Sequence, residues 1–280
     1  MDLETLKELQ AKEVDMLEQV INALKKMGLK YYVVYGTLIG AVRHKGFIPW
    51  DDDVDICMPR EDYDTFLDKG QQYLPENLFI QTAKSDKEYT TFFTKIRNSN
   101  TTFIENRVKN KNINHGIYID IFPLDNRYES EIRHKIFVIR QKFYSLIAAR
   151  NDNVDGFTMA GIPMKYLVNL LRIVPCSSKK AILKIDKMAK KCNDKPSKYC
   201  AVHLGNLNKE KFDKSIFGEG VELPFDRLMV NAPEKYHEHL TAIYGDYMNL
   251  PPKEEQVNKH IVAVVDMTKS YLEYVGKDSY

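Results

Sequence analysis

Tyr31–Met58, YYVVYGTLIGAVRHKGFIPWDDDVDICM, decides the fold, because it sets a strand, a tight turn and four carboxylates in one short span. The β-branched and aromatic run from Tyr31 to Tyr35 predicts a strand that stops at Gly36. Thr37 then predicts the N-cap of a short helix from Leu38 to His44, closed by Gly46. A strand that turns into a helix through glycine offers backbone N–H groups to an anion, which makes Gly36 and Thr37 candidate phosphate contacts. Beyond an apolar elbow, Phe47 to Trp50, come Asp51, Asp52, Asp53 and Asp55. Two carboxylates about 4 Å apart repel by roughly 4 kcal/mol at an effective dielectric near ~20, so such a crowd needs a cation or room to splay. Val54, Ile56 and Met58 alternate with Asp53, Asp55 and Cys57, the period of a strand with one apolar face, and a strand leaves little room to splay. Asp53 and Asp55 are therefore expected on one side, with Asp52 on the other and Asp51 at the strand's beginning. Hard oxygen ligands beside a phosphate-binding turn are what Mg2+- or Mn2+-assisted chemistry on a phosphate ester requires. A solvated acidic turn is the competing reading of the acids alone.

The segments Gly36–Gly40 (GTLIG) and Ile48–Ile56 (IPWDDDVDI), with Arg43 between them, resemble the signature of the LicD family, the phosphocholine transferases related to fukutin and fukutin-related protein. The resemblance implies a nucleotidyltransferase-like fold and transfer of a substituted phosphate. Typically this is phosphocholine, moved from CDP-choline to a hydroxyl of a cell-surface glycan of teichoic acid or lipopolysaccharide type, or to its lipid-linked precursor. That substrate is inherited from the family and is not shown by spacing.

Composition bounds the rest. A chain of 280 residues, 44% hydrophobic with 17 Tyr and 13 Phe, can bury a sizeable core. A net charge of +2 gives no general field for nucleic acid, which is not expected as a partner. Cys57, Cys176, Cys192 and Cys200 show no CxxC spacing and no signal peptide precedes them, so reduced thiols and a cytoplasmic location are expected, at the inner face of the membrane if the acceptor is lipid-linked.

Residues 2–27 carry leucine, isoleucine, valine and methionine near helical spacing and stop at Gly28, a support helix with no assigned chemistry. Pro59 to Tyr73 reads as a helix with Glu61 and Asp62 in its first turn. Leu78–Thr82, Tyr89–Arg97 and Thr101–Glu105 read as strands of a mixed sheet. Lys95 and Arg97 share a face and are candidates for phosphate oxygens, as is Arg43 beside the glycine turn; a solvated face explains the first two equally well. His115–Asp125, HGIYIDIFPLD, is an apolar strand interrupted by Asp120. A charge there is costly unless it is paired or bound to metal, so Asp120 is the candidate third ligand or general base, with a salt bridge as the alternative. The IDIFPLD segment also resembles the family. Asp125 reads as a cap or turn residue.

Residues 127–200 read as a helical insertion, with helices over Glu129–Ala149 and Lys179–Lys191. Phe157–Pro175 is apolar but interrupted by Lys165, Asn169 and Arg172, too broken to span a membrane. With the lysines that follow, it offers a peripheral contact to an anionic membrane; a solvated helix face is the simpler reading. Residues 201–280 are expected to return to the site. His237 and His239 diverge by about 200° on a helix predicted over Pro233–Gly245 and are rejected as metal ligands. The stretch YGDYMNLPP, Tyr244–Pro252, followed by His260, again resembles the family and makes His260 a substrate-side candidate. Gln256 stands where many relatives have Arg, so no phosphate contact carries over to that position.

The expectation is thus an α+β nucleotidyltransferase-like core over 1–126, a helical insertion over 127–200 and a C-terminal segment that completes the site. Asp53, Asp55 and Asp120 would hold the metal. If the donor carries a quaternary ammonium, an aromatic cage is wanted, for which Trp50, Tyr118 and Phe122 are candidates that core packing explains as well, and Asp51 stands beside Trp50. Two alternatives stay open: a nucleotidyltransferase or a transferase of another phospho-alcohol on the same core, and a non-catalytic protein that binds a cation or a basic partner.

Overall fold

In a computed structural model, which describes residues 1–155, 157–159, 161–203, 209–258 and 260–276, the acidic run feeds the middle of a mixed sheet. The chain begins with α1 (Leu3–Met27), capped by Asp2 and ended by Gly28 in the left-handed conformation. There follow β1 (Tyr32–Val33), α2 (Tyr35–Arg43), β2 (Asp55–Pro59), α3 (Arg60–Lys69), β3 (Leu78–Gln81), β4 (Thr94–Asn98), β5 (Thr102–Glu105) and β6 (Ile117–Asn126). A helical stretch comes next: α4 (Glu131–Ala148), the short hairpin β7 (Thr158–Met159) and β8 (Ile162–Pro163), α5 (Met164–Leu170) and α6 (Ser178–Lys190). The chain closes with β9 (Tyr199–Ala201), β10 (Phe212–Asp213), β11 (Val221–Phe225), β12 (Leu228–Ala232), α7 (Tyr236–Tyr244) and β13 (Val262–Asp266).

The main sheet runs β1-β2-β6-β4-β3, with β9 and β10 continuing from β6. Its β2–β6 pair is parallel and the others are antiparallel. Alternation along the strands is real, but both faces are covered. Ile56, Met58, Ile119 and Ile121 join the large core under α1, while Cys57 and Phe122 join a smaller cluster with Tyr32, Val34 and Phe212. All four cysteines are free and buried. No helix among the described residues is long and apolar enough to cross a membrane.

Four local expectations are corrected. The first strand is only Tyr32–Val33, because Tyr35 itself takes a positive φ of 50° and starts α2. Its ring packs edge-on to Phe122 and its hydroxyl donates to Glu210, contacts that hold this turn. Thr37 is therefore inside the helix and caps nothing; Val34 is the N-cap and lends no side-chain bond. The strand expected from Tyr89 begins only at Thr94. Asp125 is no cap: it is buried and clasped by Arg60, with Nε–Oδ1 at 2.7 Å and Nη2–Oδ2 at 2.6 Å. Arg60 also reaches Asp186 on α6 at 2.9 Å, so one buried cation ties α3, β6 and α6 together.

Candidate active site

The sheet register builds the site. Parallel pairing of β2 with β6 sets Asp55 beside Asp120, and antiparallel pairing of β4 with β6 sets Lys95 on Asp120's other flank. The Lys95 ammonium lies 2.9 Å and 3.2 Å from the two oxygens of Asp120. One oxygen each of Asp53, Asp55 and Asp120 lies within 4.8 Å of the others. Backbone bonds fix the row: Asp120 N–H donates to Val54 O at 2.8 Å, and Asp55 N–H donates to Thr37 Oγ1 at 2.8 Å. Thr37 thus serves as the bolt between α2 and β2.

Burial pushes all three carboxyls upward. Asp53 rises to about 6, through burial first and then Asp120 and Asp52, against the opposing pull of His260. Asp55 is held well above its usual range by burial, Asp53 and Asp120. Asp120 is raised by burial although Lys95 pulls it down.

Asp52 belongs to this site too, contrary to the expected register. The strand starts at Asp55, so residues 51–54 are not bound to strict alternation and Asp52 turns inward. It is buried, and its Oδ1 lies 3.0 Å from His260 Nδ1. Burial alone would lower His260; the Asp52 hydrogen bond and the nearby Asp53 charge lift it instead to about 9. His260 stands edge-on to Phe103 and Tyr118 just before β13, which pairs with β5. The C-terminal segment reaches the acids in this way.

A second missed residue is Glu13 of α1. It is 1% exposed, and burial, followed by Asp53, Asp52, Asp51 and Asp120, raises its carboxyl far above the usual range. Its Oε2 has no hydrogen-bond partner, while Gln10 one turn earlier donates to Asp51 O at 2.8 Å. The sequence did carry a signal: Glu13 stands four residues from both Leu9 and Leu17, in the middle of the apolar stripe.

The other candidates are placed as follows. Gly36 lies under the Asp51 carboxylate, where a Cβ would fall 2.5 Å from Oδ2; the space above the start of α2 is filled by this chain's own anion. Arg43 donates to Tyr247 O at 2.7 Å and fastens the segment after α7 to α2. Arg97 is fully buried, donates to Gln81 and to Gly116 O, and pairs with Glu105 at 3.8 Å. Tyr118 is buried with the Lys95 ammonium 3.2 Å from its ring centre, so a cation already occupies that aromatic face. Trp50 is half-buried against the large core, and Phe122 is packed in the smaller cluster. His237 is exposed and His239 is buried on α7, diverging as expected.

The donor set suits a hard divalent cation, which prefers several carboxylate oxygens. Asp52, Asp53, Asp55 and Asp120 face two cations, Lys95 and His260, which leaves two negative charges. Protons or one divalent ion can fill that deficit.

Comparison with known proteins shows the family. The family profile described as LicD/FKTN/FKRP, nucleotidyltransferase domain, matches residues 28–148. The lipopolysaccharide cholinephosphotransferase LicD of Haemophilus influenzae is 30% identical over 269 residues, covering 92% of this chain and 96% of that protein. An uncharacterized protein of Rickettsia typhi is 36% identical over 117 residues, 42% of this chain and 35% of its own. The ribitol 5-phosphate transferase FKRP of Homo sapiens is 44% identical over 43 residues, 15% of this chain and 9% of that one.

Proposed function

This chain belongs to the LicD family and is a phosphotransferase, and we propose that it moves phosphocholine from CDP-choline to a hydroxyl of a lipopolysaccharide-type or teichoic acid-type glycan, or of its lipid-linked precursor, releasing CMP. The observation that carries this reading is the convergence of Asp55 and Asp120, from two adjacent parallel strands, with Asp53 from the segment that leads into the first of them. These three would hold Mg2+ or Mn2+, which when bound neutralises charge on the diphosphate. Lys95 pins both oxygens of Asp120, which favours a ligand's role for that carboxylate over a base's. In the transfer, the acceptor oxygen bonds to the distal phosphorus, the bond to the CMP oxygen breaks, and the hydroxyl proton passes to a cluster carboxylate.

A second reading keeps the reaction and changes the headgroup to another phospho-alcohol. Lys95 over Tyr118 removes one wall of an ammonium cage, and one relative is named for ribitol 5-phosphate. A donor screen decides: purified protein, Mg2+ and glycan acceptor, with CMP release measured for CDP-choline, CDP-ribitol and an ordinary nucleoside triphosphate. Preference for CDP-choline sustains the first reading, preference for CDP-ribitol the second. Brisk turnover of the triphosphate alone would overturn both.

A further inference from the structure

Helix α4 buries His134, Phe137, Val138 and Gln141 on one side. Its opposite side is unusual. Ile132 is 73% exposed, Ile136 52%, Ile139 67% and Phe143 41%, at steps of four, three and four residues, so they form one stripe along the helix. Exposed Arg133, Lys135, Arg140 and Lys142 interleave with it. The helix's only acid is Glu131 in its first turn, already paired with Arg127 and Lys211.

Ile136 also borders a cleft of about 560 Å3 between α4 and α6. Arg133, Arg140, Lys184, Lys187 and Lys191 line that cleft over an aromatic and apolar floor, and no carboxylate among the described residues lines it. None of these five cations forms an ion pair among the described residues; Lys184 instead lies over the Tyr144 ring, 5.0 Å from its centre. Since the whole chain carries a net charge of only +2, this is local concentration and not a general excess.

We infer that the α4–α6 face docks on an anionic membrane surface, with a phospholipid phosphate seated in the cationic cleft and the Ile132–Phe143 stripe entering the boundary between headgroups and acyl chains. Isoleucines separated by long cations are suited to that boundary, because Lys and Arg stems lie along apolar surface while their heads reach phosphate. A second copy of the chain is a poor occupant. A two-fold contact through this face would set all five cleft cations against their own images. The docking is independent of which group the acidic site transfers, and the cleft residues are none of those placed at that site.

The test uses the full chain with vesicles of phosphatidylcholine alone and vesicles enriched in phosphatidylglycerol, read by co-sedimentation. The expected result is binding only to the anionic vesicles, falling as salt rises. The double variant Arg140→Glu/Lys187→Glu should weaken affinity ~10-fold or more, each basic residue near such a surface contributing about 1 kcal/mol. Ile136→Asp/Ile139→Asp, at exposed positions that carry no core packing, should weaken it as well while CMP release with a soluble acceptor stays unchanged. Three outcomes overturn the inference: no binding to anionic vesicles at low salt; binding that inorganic phosphate displaces and the isoleucine variants leave intact, which makes the cleft a site for free anions; or a dimer in sedimentation velocity that Ile136→Asp/Ile139→Asp splits, with no vesicle binding.

Discussion

At the residue scale, the acids divide by what each side chain faces. Asp53 and Asp55 lie together with Asp120, so Asp53→Asn and Asp55→Asn should each lower turnover by ~100-fold or more, the size of a lost few kcal/mol of charge stabilisation. CMP release measures it. Asp52→Asn should act through His260. The Asp52 bond helps lift that imidazole to about 9, and without it only the Asp53 and Glu105 charges oppose the downward pull of burial. A base raised in the folded state gives stability that is complete below its unfolded value, near about 6.5, and is lost as pH rises through the folded one. Melting temperature should therefore fall from pH 7 toward 10 in the parent and fall less in Asp52→Asn; equal slopes would dissolve the pair. Asp53 obeys the same sign. Its carboxyl moves from 3.8 to about 6, so metal-free protein in EDTA should lose stability as pH rises from 4 through 6, and Mg2+ should restore it. A melting temperature in EDTA that climbs over that window would contradict the crowding described here. The pairing of Asp53 with Asp55 was legible from alternation. Asp52 was not, because alternation was extended past the start of the strand at Asp55, where the chain is free to turn it inward.

At the element scale, α2 and β2 hold each other through Thr37, which is buried and accepts the Asp55 N–H. Thr37→Val keeps the shape and leaves that amide without a partner, at a cost of about 1–3 kcal/mol. A loss of roughly 2–4 °C per kcal/mol in melting temperature is expected for a domain of this class, together with lower turnover as Asp55 loosens. Thr37→Ser, which retains the oxygen, should recover both. If Val and Ser behave alike, the hydroxyl is not the bolt. The sequence showed a turn here, since a β-branched run meets Gly36 and Thr37. It did not show which atom Thr37 serves, because a threonine at a helix start reads as a cap until the neighbouring strand is placed. Glu13 was missed for the opposite reason. The support helix was judged by its apolar stripe, and the one charge inside that stripe passed as part of the polar face.

At the scale of the whole molecule, one ion pair decides how the helical stretch meets the sheet. Asp125, at the end of β6, was read as a turn residue because strand ends carry such acids; yet it sits in the same apolar strand as Asp120, and the argument from the cost of a buried charge applies to both. Arg60 answers Asp125 with two short bonds and shares its remaining nitrogen between Asp186 of α6 and Asp64 of its own helix, while Asn193 donates to Asp125 from beyond α6. Breaking such a pair from one side strands a buried charge at about 3–5 kcal/mol, whereas replacing both partners with apolar groups of similar size is often neutral. Arg60→Met should therefore lower the melting temperature steeply, and Asp125→Leu alone should do the same by stripping the guanidinium of its buried partner. The double variant Arg60→Met/Asp125→Leu should recover most of the loss, leaving the missing contacts to Asp186, Asp64 and Asn193. Thermal unfolding of the three variants checks this, with limited proteolysis reporting on α4 and α6. Recovery of the melting temperature with continued protease sensitivity would assign the pair's work to anchoring α6. Additive losses in the double variant would mean that Arg60 and Asp125 do not act as a unit, and the coupling between sheet and helices would then have to lie in the apolar contacts of Ile182 and Ile185.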